Sequence, residues 1–568
     1  MISIDNLTFK YNGTEKNALE NINLNIEKGD FLGIIGESGA GKTTLCSAIN
    51  ALIPHHYKGD FYGSVKINGE DTFDVNPGKL ALKVGSVFQD IDSQMVSAFV
   101  EDEILFGLEN FGIPKDEIEN RLVSVLQDLG IENLRHREIS SLSGGQKQKV
   151  AIAAILALNP EILVLDEPTG ELDPASSRQI FSILEKLNKE KGMTIIVVEQ
   201  KIMLLCEYAK KLAVMSNGRL FAYGSIREVL RNASELETIG INIPRVVTLS
   251  RKLKEEGLTA SLSEEEQIAL NSDEAAALIK KITKKSPEKQ IKEGENNISN
   301  STEPLISFKN VSFSYNHTAN IENVNVDINK GDFVAIIGSN GAGKSTFSKL
   351  CNGLLKPSNG NVCVMGKNTK KVKTFALAKN IGFLFQNPDR QICCSTVKDE
   401  IQFSLKRIGL SEEEINNRTE ETLNSFGFDP EAEPFNLSRG QRQRLCLASL
   451  IALKSDILIL DEPTTGLDYK ECMELMEKIQ KLNQEGTTVI MVCHDMEIVL
   501  DFANRILVMT DGHLIADGQA KQILSDTALL SKARLLQPQI AETATKLGAE
   551  YNNIFTTEQM IKAIKSAQ

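Results

Sequence analysis

The sequence predicts an α/β protein that contains the same kind of domain twice in tandem. A glycine-rich stretch, GESGAGKTTL, recurs as GSNGAGKSTF, and an acidic stretch, LVLDEPTGELD, recurs as LILDEPTTGLD. The offset is 302 residues between Lys42 and Lys344 (344 − 42) and 295 between Asp166 and Asp461 (461 − 166). Such nearly constant spacing is typical of an internal repeat. Short apolar runs before each stretch, such as FLGII and ILVL, are typical of buried parallel strands.

The domain boundaries follow from composition. We predict a first domain over residues 1–243 and a helical appendage over 244–285, where Leu and Ala recur among charges at helical intervals. The polar stretch SPEKQIKEGENNISNSTE predicts a linker over 286–303. A second domain over 304–537 and a C-terminal helical appendage over 538–568 complete the chain. The seven extra residues of copy one (302 − 295) are expected around HHYKGDFYG.

Composition excludes several classes of protein. Hydrophobic residues make up 41% of the 568 residues and charged residues 24%, as in ordinary globular proteins. The formal net charge of −13 disfavours nucleic acid as the main partner. No apolar run approaches the roughly 18–20 residues that cross a bilayer, and the N-terminus does not resemble a secretory signal. The nine cysteines lack metal-ligand spacing, and Cys393-Cys394 is interpreted as two small apolar residues in a reducing compartment.

Each glycine-rich stretch fits the pattern G-x-x-x-x-G-K-[ST]. An apolar run precedes it, and apolar residues at i, i+3, i+4 and i+7 follow it, which predicts a strand, a loop and a helix in that order. Backbone N–H groups of such a loop converge on phosphate oxygens at a helix N-terminus. The sequence therefore predicts two P-loops that bind a nucleoside triphosphate.

The P-loop lysines, Lys42 and Lys344, are expected to reach the β and γ phosphates, and the hydroxyls of Thr43 and Ser345 to hold Mg²⁺. The candidate nucleotide-binding residues are Gly36, Glu37, Ser38, Gly39, Ala40, Gly41, Lys42, Thr43 and Thr44 in copy one, and Gly338, Ser339, Asn340, Gly341, Ala342, Gly343, Lys344, Ser345 and Thr346 in copy two.

Each acidic stretch is an apolar strand that ends in an Asp-Glu pair, Asp166-Glu167 and Asp461-Glu462. After a P-loop in the same domain, the aspartate is expected to hold the Mg²⁺ shell. The neighbouring glutamate is expected to polarise the attacking water. Glu167 and Glu462 are therefore candidate catalytic residues.

The segments LSGGQ (142–146) and LSRGQ (437–441) identify a family. Ser143 and Ser438 each stand 23 residues before the acidic strand end (166 − 143 and 461 − 438). With these segments the chain resembles ABC ATPases over nearly all of its length except the linker. The resemblance implies two tandem P-loop NTPase domains of ABC type, each with an α-helical signature subdomain, with ATP and Mg²⁺ as cofactors. In that family the signature contacts the γ-phosphate of the nucleotide on the other domain.

The resemblance also assigns the remaining site residues. Tyr11 and Tyr315 resemble the aromatics that stack on adenine, and Gln89 and Gln386 resemble the Q-loop glutamines that sense Mg²⁺ and nucleotide. Asp173 and Asp468 match the D-loop. The signature candidates are Ser143, Gly144, Gly145 and Gln146, and Ser438, Arg439, Gly440 and Gln441. The metal candidates are Thr43, Gln89 and Asp166, and Ser345, Gln386 and Asp461.

The two copies differ at the switch histidine. His494 of copy two aligns with Gln200 of copy one, and Arg439 replaces the first signature glycine of copy two. In the family's head-to-tail arrangement both departures fall in one composite site. Glutamine can hydrogen-bond a phosphate but cannot carry the charge of imidazole. We therefore predict faster hydrolysis at the site that combines the P-loop of copy two with the LSGGQ of copy one. Two equally active sites remain the alternative.

The Q-loop surroundings, FQDIDSQMVSAFVEDEILFGLEN and FQNPDRQICCSTVKDEIQFSL, resemble those of energy-coupling-factor importers of vitamins and metal ions. The C-terminal LQPQIAETATKLG and the segment IPRVVTLSRKLKEEG resemble the same class. That class implies a transmembrane coupling subunit, a small substrate-capture membrane subunit and a peripheral position on the cytoplasmic face of the membrane, with one fused chain per transporter. Candidate docking residues are Asp92, Gln94, Asp389 and Gln391.

Three other functions are consistent with tandem domains. A ribosome-acting ABC protein is expected to carry a long charged helical arm and two matched sites. A sugar-importer ATPase has different signature and Q-loop surroundings. An ATP-binding regulator with little turnover is disfavoured because both Glu167 and Glu462 are present.

Overall fold

Runs of aliphatic and β-branched residues form the central strands of two units. The computed structural model describes residues 1–170, 172–283, 304–315 and 318–567. The chain divides into Met1–Ile282 and Thr283–Gln568, which we name half one and half two. The predicted linker, 286–303, lies outside the described residues.

Half one contains ten strands and thirteen α-helices among the described residues. The strands are β1 (Ile2–Tyr11), β2 (Leu19–Ile26), β3 (Phe31–Gly36), β4 (Gly59–Ile67), β5 (Glu70–Asp71), β6 (Val84–Val87), β7 (Ile162–Asp166), β8 (Thr194–Val198), β9 (Lys211–Ser216) and β10 (Arg219–Ser225). The helices are α1 (Lys42–Ile49), α2 (Leu52–His55), α3 (Pro77–Leu80), α4 (Ile91–Gln94), α5 (Val100–Asn110), α6 (Lys115–Leu129), α7 (Gly144–Leu156), α8 (Pro174–Lys191), α9 (Ile202–Tyr208), α10 (Ile226–Leu230), α11 (Ala233–Thr238), α12 (Arg245–Glu255) and α13 (Ser272–Ile282).

Half two repeats this order of elements. Its strands are β11 (Ile306–Tyr315), β12 (Thr318–Ile328), β13 (Phe333–Ile337), β14 (Asn359–Val364), β15 (Lys367–Asn368), β16 (Ile381–Leu384), β17 (Ile457–Asp461), β18 (Thr488–Val492), β19 (Arg505–Thr510) and β20 (His513–Gln519). Its helices are α14 (Lys344–Cys351), α15 (Thr374–Ala378), α16 (Val397–Ile408), α17 (Glu412–Phe426), α18 (Arg439–Ala452), α19 (Tyr469–Gln484), α20 (Met496–Phe502), α21 (Ala520–Ser525), α22 (Thr527–Lys532), α23 (Gln539–Leu547) and α24 (Thr557–Ser566).

Each half has two sheets. The larger has six strands, in the order β10-β9-β3-β8-β7-β6 in half one and β16-β17-β18-β13-β19-β20 in half two. Five of the six are parallel, and β10 or β20 pairs antiparallel at one edge. The smaller sheets, β2-β1-β4-β5 and β12-β11-β14-β15, are antiparallel. The two α/β domains predicted from the repeat are confirmed.

The parallel strands are apolar at every position because both of their faces are covered. All five residues of β7 and of β17 are buried. Ile162 and Val164 of β7 pack with the small sheet and the P-loop helix α1, whereas Leu163 and Leu165 pack with α8 on the other face. This alternation follows from the two-residue period of a strand.

Helices inserted between β6 and β7, and between β16 and β17, form the predicted signature subdomain of each half. In half one α5, α6 and α7 pack together, and in half two α16, α17 and α18 do so. The helices of the predicted appendages, α12 with α13 and α23 with α24, occur at the expected places in the sequence.

The register of the small sheets locates most of the length difference between the copies. Ile67 faces Ile2 in half one, and Val364 faces Ile306 in half two. The distance from the P-loop lysine to these positions is 25 residues in half one (67 − 42) and 20 in half two (364 − 344). Five of the seven extra residues therefore lie in the predicted stretch.

The cysteine pair differs from its interpretation as two apolar residues, because Cys393 is exposed and Cys394 is only partly buried. Burial and the neighbouring Glu400 raise the pKa of Cys394 to about 12, so this thiol stays protonated at neutral pH. Among the described residues, no helix combines the length and apolar character needed to span a membrane.

A repeated irregularity shapes the first strand of each half. Asn6 has a φ of 49° where the register of β1 against β4 shifts, and Gly63 lies opposite with a φ of 87°. A Cβ on Gly63 would lie 2.4 Å from the carbonyl oxygen of Asn6. Half two repeats the arrangement with Asn310 and Gly360.

We expect Gly63→Ala to destabilise half one more than Gly69→Ala does. Both glycines have a φ of 87°, but a Cβ on Gly69 meets nothing within 4 Å. In both variants the free energy of unfolding should fall by about 1 kcal/mol, because alanine is disfavoured in the left-handed backbone conformation. In Gly63→Ala it should fall by about 2 kcal/mol more, because the added Cβ clashes with the Asn6 carbonyl oxygen. Urea unfolding followed by circular dichroism measures the midpoints. Equal shifts would contradict the role of close backbone packing at Gly63.

Candidate active site

The strand order of the large sheet brings four predicted site segments together. In half one the P-loop follows β3, the switch residue follows β8, the acidic pair ends β7 and the Q-loop follows β6, and these four strands are neighbours. Half two has the same order, β13-β18-β17-β16. Because neighbouring parallel strands end at the same edge, segments far apart in the sequence converge there.

The P-loop lysines are held by their own loops. Lys42 Nζ donates hydrogen bonds to the carbonyl oxygens of Gly36 (2.8 Å) and Glu37 (2.9 Å). Lys344 Nζ makes the equivalent bonds in half two. Gly41 precedes α1 with a φ of 93°, and a Cβ there would lie 2.5 Å from the Ala18 carbonyl oxygen. The loop is thus shaped for backbone N–H groups to approach phosphate oxygens.

Two of the predicted Mg²⁺ ligands of half two contact each other. Ser345 Oγ donates to Asp461 Oδ1 at 3.2 Å. Asp166 is 5% exposed, and its Oδ1 has no hydrogen-bond partner among the described residues. Burial raises the pKa of Asp166 and of Asp461 above the ordinary value. A buried carboxylate oxygen without a donor, beside a hydroxyl, fits a hard cation such as Mg²⁺.

Each glutamate predicted to be catalytic is in hydrogen-bond contact with a residue from the strand end on either side. Glu167 accepts from Gln89 Nε2 and from Gln200 Nε2, both at 2.8 Å. In half two Glu462 accepts from Gln386 Nε2 at 3.1 Å and lies 2.9 Å from His494 Nε2. The structure therefore brings the predicted Q-loop, catalytic and switch residues into contact in both halves.

The two glutamates differ in acidity. Burial raises the pKa of Glu167, and the hydrogen bond from Gln200 offsets this effect only in part. Burial also tends to raise the pKa of Glu462. The hydrogen bond and charge of His494 and the hydrogen bond from Gln386 have the opposite effect and are larger together, so this pKa lies below its ordinary value. The residue at the switch position therefore contributes to the difference in pKa between the two predicted catalytic carboxyl groups.

The signature residues begin a helix in each half. Ser143 caps α7, with Gln146 N donating to Ser143 Oγ at 3.4 Å and Ser143 N donating to Gln146 Oε1 at 3.0 Å. Ser438 and Gln441 form the same capping box at α18. Sequence reasoning missed this role, although Ser-x-x-Gln before a helix is its signal. Arg439 is the first residue of α18.

The D-loop aspartates also cap helices. Asp173 Oδ1 accepts from Ser176 N, and Asp468 Oδ1 accepts from Glu471 N, each at 2.9 Å. These bonds satisfy N–H groups that the first turn of a helix leaves without partners. The predicted D-loop residues therefore hold the first turns of α8 and α19 in place.

The predicted docking residues bind within their own halves. Asp92 Oδ1 lies 2.6 Å from Lys147 Nζ on α7, and Asp389 Oδ1 lies 2.9 Å from Arg442 Nε on α18. Gln94 Oε1 accepts from Phe88 N at 2.9 Å, and Gln391 repeats this bond in half two. The aspartates thus link each Q-loop to its signature helix, and the glutamines close the Q-loop turn.

The predicted adenine-stacking tyrosines have different surroundings. Tyr11 lies beside the P-loop helix, with its hydroxyl 3.1 Å from Thr44 Oγ1, and Tyr57 packs near it edge-on at 6.2 Å between ring centroids. Tyr315 is 43% exposed and packs edge-on against Phe313. Tyr57 was not a predicted site residue.

Two further residues of half one escaped the sequence analysis. Glu199 and Lys201 flank Gln200 and bind the loop after β7. The sequence feature that could have revealed them is the difference between the copies on either side of the switch position. Copy one has Glu199 and Lys201 there, whereas copy two has Cys493 and Asp495.

The chain is similar to proteins of one known family. A family model described as ABC transporter matches residues 19–170 and 321–465. An ABC transporter ATP-binding protein of Caldanaerobacter subterraneus subsp. tengcongensis is 38% identical over 99% of each chain. One from Methanosarcina mazei is also 38% identical, over 96% of this chain and 94% of its own.

Among solved structures, cbiO1 from Clostridium perfringens, described as part of the ABC transporter complex cbiONQ, is 34% identical. The match covers 43% of this chain and 96% of that protein, with a TM-score of 0.38. That score is too low for the likeness to support an inference.

We expect Ser345→Ala to raise the Mg²⁺ concentration for half-maximal ATP hydrolysis by about tenfold, because it removes the hydroxyl beside Asp461. The control is Ser348→Ala on the same helix, since Ser348 is buried and its hydroxyl has no hydrogen-bond partner among the described residues. A Mg²⁺ titration of ATPase rate measures both. Equal shifts in the two variants would contradict Ser345 as a metal ligand.

Proposed function

The chain belongs to the ABC transporter family, with two ATP-hydrolysing ABC domains in one polypeptide, and on that premise we propose that it is the motor subunit of an energy-coupling-factor type importer. In this proposal it drives uptake of a vitamin or metal ion through a transmembrane coupling subunit and a small substrate-capture subunit. It lies at the cytoplasmic face of the membrane, with one fused chain per transporter.

One observation carries the catalytic part of the proposal. In each half a glutamate at the end of a buried strand contacts both the Q-loop glutamine and the switch residue. The geometry supports Glu462 Oε as the base that orients a water and accepts its proton. Lys344 and the backbone N–H groups of its loop would hold the phosphates, and Ser345 with Asp461 would hold Mg²⁺, which neutralises phosphate charge.

We also propose that the two halves differ in rate. His494 lowers the pKa of the Glu462 carboxyl group and places an imidazole beside it, whereas Gln200 gives Glu167 the hydrogen bond of a neutral amide. In the arrangement that the family resemblance implies, the faster site combines the P-loop of half two with the LSGGQ signature of half one. The slower site then keeps ATP bound for longer, and its main contribution to the transport cycle is nucleotide binding and not hydrolysis.

The importer class rests on sequence. The Q-loop surroundings of both copies, and the segments that contain α12 and α23, resemble the energy-coupling-factor class. The structure adds a physical route within each half: the Asp92–Lys147 and Asp389–Arg442 ion pairs connect the Q-loop to the signature helix. Movement of the Q-loop by a docked membrane subunit would therefore be transmitted to the signature.

We expect Glu462→Gln to lower the steady-state ATPase rate by about 100-fold or more, since it removes a general base. Glu167→Gln should lower the rate by a distinctly smaller factor, because half one contributes less turnover. The measurement is phosphate release from the purified chain at saturating Mg²⁺ and ATP.

The control exchanges the switch residues. In a chain that carries both Gln200→His and His494→Gln, the larger loss should move to Glu167→Gln. Equal losses from Glu462→Gln and Glu167→Gln in both the native and the exchanged backgrounds would contradict the asymmetry, provided that one inactive site does not stall the other.

We expect affinity purification of the tagged chain from detergent-solubilised membranes to recover one coupling protein and one small multi-span protein, identified by mass spectrometry. The control is the Asp92→Asn, Asp389→Asn variant, which should retain ATP binding. Recovery of ribosomes, or of no membrane protein, would overturn the importer proposal and leave the ATPase assignment in place.

A further inference from the structure

Half one contains a buried carboxylate that the catalytic scheme does not use. Glu199 follows β8 and is 1% exposed. Its Oε2 accepts a hydrogen bond from Thr169 Oγ1 at 2.6 Å, and its Oε1 accepts from the backbone N–H groups of Gln200 (3.0 Å) and Lys201 (3.2 Å). We name residues 199–201, which follow β8 and include Gln200, the switch turn. The Glu199 side chain therefore connects the switch turn to the loop after β7.

Lys201 makes a second connection between the same two segments. Its Nζ donates to the carbonyl oxygens of Thr169 (2.8 Å) and Leu172 (3.2 Å), and lies 3.4 Å from Ser177 Oγ. Thr169 and Ser177 are fully buried or nearly so, at 0% and 1% exposure. The switch residue Gln200 is thus flanked by Glu199, which binds Thr169, and by Lys201, which binds Thr169 and Leu172.

Half two has different residues at both positions. Cys493 replaces Glu199, and its Sγ lies 3.6 Å from the Asp495 carbonyl oxygen. Asp495 replaces Lys201, and its Oδ1 accepts from the backbone N–H groups at the start of α20, at 2.9 Å from Glu497 N and 3.3 Å from Ile498 N. These bonds stay within the switch turn and its own helix.

The connection in half one is costly to open. Moving the switch turn away from the loop would leave a buried carboxylate without its hydroxyl donor and buried carbonyl oxygens without the ammonium. A buried charge that loses its partners is strongly unfavourable. The turn that carries Gln200 therefore has little freedom to move independently of the loop after β7.

We infer that Glu199 and Lys201 are positioning residues that keep the switch turn of half one against Thr169 and Leu172, with or without nucleotide. They hold Gln200 in contact with Glu167, so the turn does not respond to the γ-phosphate as the His494 turn of half two does. The inference deepens the proposed asymmetry, and it rests on the proposed function only in assigning ATP as the nucleotide.

Hydrogen–deuterium exchange of the whole chain tests this directly. Peptides that cover Leu172–Ser177 in half one are compared with peptides that cover Leu467–Cys472 in half two, without nucleotide and with a non-hydrolysable ATP analogue and Mg²⁺. We expect the half-one segment to be protected in both conditions. The half-two segment should gain protection only when nucleotide is bound.

The decisive variant is Glu199→Gln with Lys201→Met. Exchange at Leu172–Ser177 should rise about tenfold without nucleotide, as expected when one net hydrogen bond is lost, and should become nucleotide-dependent. Lys201→Arg alone keeps a cation and should retain protection. Exchange of β7 peptides and the thermal unfolding midpoint serve as controls, because a general loss of stability would raise exchange there as well.

Unchanged exchange at Leu172–Ser177 in the double variant would overturn the inference, as would an equal nucleotide response of the two halves in the native chain. A rise that spreads equally to β7 would also overturn it, because the residues would then only stabilise the fold. Hydrogen–deuterium exchange does not depend on ATP turnover. A negative exchange result can therefore be distinguished from a failure of the proposed asymmetry in rate, which would appear as equal ATPase losses in the Glu462→Gln and Glu167→Gln variants.

Discussion

In each half the site is organised around a carboxylate at the end of a buried strand. Glu167 and Glu462 follow strands that are buried at every position, and both have a left-handed backbone, with φ of 50° and 54°. Such a residue persists only where its surroundings hold it in place. The neighbouring strand ends supply the required donors, one from the Q-loop and one from the switch turn. The strand order that gathers these donors is the same order that places the P-loop beside them.

The two halves show how one residue alters a common scaffold. The order of the strands and helices, the P-loop contacts and the helix caps are the same in both halves. However, the imidazole of His494 contacts Glu462, whereas the side-chain amide of Gln200 contacts Glu167. The pKa of the carboxyl group accordingly shifts in opposite directions in the two halves. Half one also has a buried Glu199, whose charge contributes to the raised pKa of Glu167. A duplicated domain can thus keep its fold while equivalent carboxyl groups in its two copies have different electrostatic surroundings.

Several residues expected to act only on nucleotide or partners also hold the fold. Ser143, Ser438, Asp173 and Asp468 cap helices, and Asp92 and Asp389 form ion pairs with signature helices. Loss of a cap alone costs about 1 kcal/mol. An activity defect in a variant of one of these residues therefore combines a local unfolding effect with any loss of contact to nucleotide or partner.

The repeat, the two P-loops, the buried strands and the acidic strand ends could be predicted from the sequence, because they depend on local spacing and hydrophobic period. The switch residues followed from the family resemblance. Most of the length difference was also located near HHYKGDFYG. Which side chains meet is a property of the tertiary fold. Gln89 reaches Glu167 across 78 positions of sequence, and Lys147 reaches Asp92 across 55. The hydrogen bond from Thr169 to Glu199 likewise forms because β7 and β8 are neighbouring strands. Partners of this kind are set by strand order and by the need of buried polar groups for hydrogen bonds, neither of which a local sequence pattern contains.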